Sequence, residues 1–129
     1  MDQDRPWRWV ERDPFVQFIH CDEITWAEKA ARRPELAAYE AEIRATVRSP
    51  DQVYYDPRPR PRPVGSPEAI IMHYYAFGWT RGKHAGTFIS VIVKWLDEPA
   101  TGRIRGYVQS MYFTNRILPR LQFWWSRQP

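Results

Sequence analysis

The feature that most constrains this fold is a change of hydrophobic period at Pro50. Before it, "PELAAYEAEIRATVRS" sets Leu36, Tyr39, Ile43 and Val47 on one helical stripe, with Glu40 and Arg44 a favourable i,i+4 pair. Pro34 suits a first helical position, and Asp22 is the expected N-cap of a shorter helix in "DEITWAEKAARR". After Pro50 the pattern alternates. "QVYYD", "AIIMHYYAFGW", "TFISVIVKWL" and "RIRGYVQSMYF" read as strands, and the joins "TRGKHAG" and "DEPATG" suit hairpins. Helices followed by strands predict an α+β domain, with N-terminal helices over 22–49 packed on an antiparallel sheet of about four strands. The third strand, apolar on both faces, is expected at the centre. The first twenty residues, interrupted by Pro6 and Pro14, read as irregular or briefly extended.

A chain of 129 residues suits one domain with a single core, and seven Trp, seven Tyr and six Phe supply large side chains to fill it. Cys21 is the lone cysteine, which excludes an intrachain disulfide and a cysteine-based zinc site. No apolar run is long enough to cross a membrane, and "MDQDRPWRW" lacks the apolar segment of a signal peptide. A soluble, cytoplasmic location with no membrane partner is therefore expected.

The net charge of +4 hides a division. Residues 1–56 carry 8 basic and 12 acidic side chains (8 − 12 = −4), whereas residues 57–129 carry 11 and 3 (11 − 3 = +8). A basic half rich in arginine suits forked contacts to a polyanion. "DPRPRPRPVGSP", whose residues 57–67 form a Pro/Arg-rich loop, excludes helix and central strand; polyproline geometry would spread Arg58, Arg60 and Arg62 around its axis. That run either tracks phosphates or merely connects. The tail over 114–129 mixes arginines with Phe123, Trp124 and Trp125, a pattern that can stack bases, cap the core or meet a partner protein.

The histidines, His20, His73 and His84, are scattered, and no metal-ligand spacing, P-loop or dinucleotide fingerprint occurs, so no metal or cofactor is expected. RNA cleavage suits such a chain, because RNA supplies its own 2′-hydroxyl nucleophile. The protein then adds a base, an acid and cations for the charge developing on phosphorus. Lys94, placed late in the apolar run "FISVIVKWL", either marks a strand's exit into water or is held in such a site.

Taken in order, "RRPELAAYEAEIRATVRSPDQVYYD", "MHYYAF", "FISVIVKW" and "GYVQSMYF" resemble the phage-associated Barnase–EndoU–colicin–RelE-like nuclease families over roughly residues 20–115. The resemblance implies a RelE/barnase-like sheet and a metal-independent, toxin-like endoribonuclease. In that reading Lys94 is the sheet cation, Ser110 the hydroxyl of the last strand, and Pro34 with Glu35 the helix start. The family commonly has histidine where this chain has Arg33, which cannot serve as a base near neutral pH. Proton transfer therefore falls to His20 or His73. Arg33, Arg58, Arg60, Arg62, Arg103 and Arg105 are the candidate RNA contacts, and an acidic antitoxin or immunity-like protein is a candidate partner. The alternative is a catalytically silent module that binds nucleic acid or an acidic protein.

Overall fold

Asp13 makes the first turn of the molecule. Its Oδ1 accepts hydrogen bonds from the amides of Phe15 at 3.0 Å and Gln17 at 2.9 Å, while Val16 adopts a left-handed φ of 66°. This turn joins β1 (Trp7–Arg12) to β2 (Phe18–Asp22) as an antiparallel pair. Asp22 caps α1 (Glu23–Arg32), its side chain accepting from Ile24 N at 2.7 Å. A 3-10 segment, Pro34–Tyr39, leads into α2 (Glu40–Arg48). Then come β3 (Gln52–Asp56), β4 (Ala69–Ala76), β5 (Phe88–Glu98), β6 (Arg103–Thr114) and β7 (Gln122–Ser126). The computed structural model describes residues 6–58, 69–98 and 103–127, apart from the side chains of Glu98 and Arg103.

The seven strands form one sheet in the order β1-β2-β6-β5-β4-β3-β7, with β5 in the middle. All pairings are antiparallel except β2 with β6, which run parallel through Ile19↔Gly106 and His20↔Tyr107. The fold is therefore mostly sheet, and the expected RelE/barnase-like α+β domain with helices on about four antiparallel strands is corrected. Three strands account for the difference. Pro6 and Pro14 bracket β1 rather than preventing it, β2 continues from the Asp13 turn, and the aromatic tail pairs with β3 as β7. The helices are short, ten and nine residues, because Pro34 opens a 3-10 turn instead of a continuous helix.

One face of the sheet carries the core. Trp9, Ile19, Cys21, Val53, Met72, Tyr74, Val91, Val93, Val108 and Met111 alternate into it and meet Trp26, Leu36, Tyr39, Ile43 and Val47 from the helical segment. The β1–β2 turn completes the cover. Phe15 packs edge-on to Trp95 and Trp125, and Tyr74 OH donates to Asp13 Oδ2 at 2.6 Å while accepting from Trp95 Nε1 at 3.0 Å. Gly106 lets β2 sit close to β6: a Cβ there would be driven into Ile19 Cδ1 and Val93 Cγ1. No helix among the described residues is long and apolar enough to cross a membrane.

Candidate nucleic-acid interface and cleavage site

The face opposite the helices is built from the other half of each alternation. Paired residues in a ladder share a face, so the register assigns Ser90, Ile92, Lys94 and Leu96 of β5 to it. Across the sheet they align with Tyr75, His73 and Ile71 of β4 and with Tyr112, Ser110, Tyr107 and Arg105 of β6. His20 joins through its pairing with Tyr107, and Val10, Arg12 and Phe18 follow along the β1–β2 hairpin.

A β-bulge makes this arrangement possible. Ile92 faces Ser110 and Val93 faces Val108, which leaves Gln109 as the extra residue on β6. Strict alternation from Tyr107 would send Ser110 into the helix-covered face. The inserted residue instead returns Ser110 and Tyr112 to the face of Lys94.

Lys94 and His20 line one cavity of about 250 Å³, together with Trp7, Asp22, Tyr107 and Gln109. It opens where β2 gives way to α1 while β6 continues. The His20 ring stacks on Tyr107 at 5.5 Å and meets Trp7 at 4.7 Å. Its Nδ1 lies 3.2 Å from the carbonyl oxygen of Gly106. A carbonyl accepts and never donates, so a neutral His20 places its proton on Nδ1 and its lone pair on Nε2, the state a general base needs.

A second, wider hollow of about 770 Å³ continues from the first over the hairpin, sharing Trp7 and His20 and adding Arg12, Gln17, Phe18 and Arg105. Phe18 is about half exposed, and the Arg12 guanidinium lies 5.9 Å from the centre of its ring. No carboxylate is among the described residues lining this hollow.

The remaining candidates are dispersed. His73 is buried on β4, in the row of Ile92 and Ser110, and stacks with Tyr75 at 6.2 Å; it is not among the described residues lining the cavity. Arg33 caps the far end of α1, about 15 Å of helix from Asp22, and so stands away from the cavity. Arg58 is held by the buried Asp56 carboxylate through bonds of 2.7–3.2 Å, its charge already matched. Arg60 and Arg62 lie outside the described residues, and Arg103 is described only as backbone of β6. Cys21 points away from His20 into the core, where burial pushes its thiol up to about 12. Among the described residues, no three His, Cys, Asp or Glu side chains group closely enough to hold a metal ion.

Trp7, Arg12, Phe18, Tyr107 and Gln109 were not singled out by the sequence. The available signal was the alternation in "WRWVER" and "FIHCD", masked by the turn between them, which contains Pro14. The tail's aromatics divide between roles: Phe123 packs against Tyr54, while Trp124 and Trp125 meet Phe15. Comparison of the chain with protein-family models, with curated proteins and with solved structures finds no match.

Proposed function

We infer that the open face of the sheet binds RNA and cleaves it by attack of the 2′-hydroxyl, with His20 and Lys94 at the centre. The supporting observation is that these two residues, from distant parts of the chain, line the same cavity, with His20 anchored through Nδ1. His20 Nε2 takes the 2′-hydroxyl proton as that oxygen bonds to phosphorus. The Lys94 ammonium offsets the negative charge gathering on the non-bridging oxygens. The bond from phosphorus to the 5′-oxygen then breaks, and the Tyr107 hydroxyl, carried by the ring stacked on His20, gives that oxygen its proton. The products are a 2′,3′-cyclic phosphate and a free 5′-hydroxyl. Tyr107 recovers its proton from the His20 imidazolium, directly or through solvent.

The resemblance of "FISVIVKW" and "GYVQSMYF" to the phage-associated nuclease families supports the same reading, since it selects Lys94 and Ser110, which share this face. The test is cleavage of total RNA in EDTA by wild type, His20→Gln and Lys94→Met, with thermal melts confirming that each is folded. Lys94→Met is expected to cut roughly 10² to 10³-fold more slowly. His20→Gln is expected to lose about 10² to 10⁴-fold. No cleavage by wild type would leave the silent binding module as the better reading. Equal cleavage by all three would remove these residues from the chemistry.

A further inference from the structure

We propose that the β1–β2 hairpin carries a subsite for an unpaired nucleotide next to the cleavage centre, with Phe18 as the stacking platform and Arg12 as the phosphate contact. The proposal rests on the RNA-binding reading of the open face and adds what form of RNA it accepts.

Phe18 sits in β2 with about half its surface in water, which leaves the ring reachable from the hollow. Its partner across the ladder is Arg12, whose guanidinium lies 5.9 Å from the ring centre. Arg12 makes no ion pair among the described residues, and the hollow it lines has no described carboxylate to compete for it. An aromatic platform beside a cation that has no carboxylate partner among the described residues is the pairing that single-stranded nucleic acid uses, one nucleotide offering a flat base and a charged phosphate together. A purely apolar partner would leave the cation unmatched, and a simple anion would leave the ring uncovered.

The subsite is in register with the centre. Val10↔His20 and Arg12↔Phe18 are successive rows on the same face of the hairpin, about 7 Å apart at strand spacing. The hollow that contains Phe18 also contains His20, so a chain engaged at the cavity continues directly onto the hairpin. Stacking on a protein ring requires a base released from its neighbours. An intact A-form duplex keeps its bases stacked inside and presents only backbone and a shallow groove. The hairpin thus selects loops, bulges and single strands over duplex.

Binding can be separated from cleavage with a short 2′-O-methyl RNA oligonucleotide, whose blocked hydroxyl cannot attack. Fluorescence anisotropy would compare wild type, Phe18→Ala, Phe18→Trp and Arg12→Ala on this strand and on its duplex. Phe18→Ala should weaken single-strand binding about 5 to 150-fold, the scale of one stacked base. Phe18→Trp should retain it, and Arg12→Ala should reduce the slope of log affinity against log salt by about 0.7. Duplex binding should respond little to any of the three. Unchanged single-strand affinity in Phe18→Ala would overturn the subsite, as would an equal loss on duplex. If the oligonucleotide behaves as expected while wild type cuts no RNA, the cleavage reading fails and the subsite stands.

Discussion

Along β5, Val91, Val93 and Trp95 enter the core, while Ser90, Ile92 and Lys94 point the other way. Both sets hang from the same backbone ladder, yet they serve different ends. The helix-covered face is apolar, close-packed and closed by the Asp13 turn. The other face gathers a lysine, hydroxyls, imidazoles and aromatic rings; it is accessible toward β1, β2 and β6, while Ser90, His73 and Tyr75 toward β4 are buried. The difference teaches that side-chain parity along β5 separates the helix-covered core from the face that carries Lys94.

The largest expected break is on the covered face. Ile43 is fully buried against the sheet, and Ile43→Ala should cost about 2–5 kcal/mol in denaturant melts, the range for a truncated core side chain. A cost below about 1 kcal/mol would mean that the helical layer contributes little. Next is Tyr74→Phe, which removes the hydroxyl joining Asp13 to Trp95 and leaves buried polar atoms without it. A loss of about 1–3 kcal/mol is expected.

The pH response separates two carboxyl groups. Burial holds Asp13 above its ordinary value of 3.8, although its bonds from Tyr74 and the Gln17 and Phe15 amides favour the ionised form. The native state then binds that proton more tightly than the unfolded chain, so this contribution falls as pH rises from 3.8 through the folded value. Asp56 is the reverse. Arg58, with a smaller contribution from Arg120, holds it well below 3.8, so its contribution is present above 3.8 and lost as pH falls toward the folded value. Melts across the acid range should lose the first slope in Asp13→Asn and the second in Asp56→Asn; unchanged slopes would show that other groups set the response.

The smallest expected effect is on the open face. Ser110→Ala should change stability by no more than about 0.5 kcal/mol, as for a surface position away from the core. A cost above about 1 kcal/mol would show that the open face also supports the fold.

Single elements were legible in the residues, but the mostly-sheet fold was not. The strands β3 to β6 follow visible alternation, the Asp22 cap was readable, and the centrality of β5 followed from its apolar content on both faces. The hairpin was not, because its turn is made by the Asp13 side chain and a left-handed valine rather than by glycine. Nor was β7, where register shifts along the pairing with β3 break the alternation that would mark a strand. Lys94 and His20 were identifiable as candidates by type. Their meeting was not, since it depends on a parallel pairing between residues 20 and 107 that no local pattern encodes. Ser110 needed the Gln109 bulge to reach its face, and Arg33 was carried by likeness to a helix start that here leads away from the site.

The parallel pairing of β2 with β6 also fixes when the site can exist. His20 and the Gly106 carbonyl that orients it are 86 residues apart, about 4 to 17 seconds of synthesis at roughly 5–20 residues per second. A growing chain therefore presents His20 with neither the Gly106 carbonyl nor Tyr107 beside it until β6 leaves the ribosome. If the completed fold cuts RNA, its activity is delayed by its own topology, and chains stalled after Glu98 should show none. Release of β6 from the ribosome would come before the cavity of His20 and Lys94 is complete.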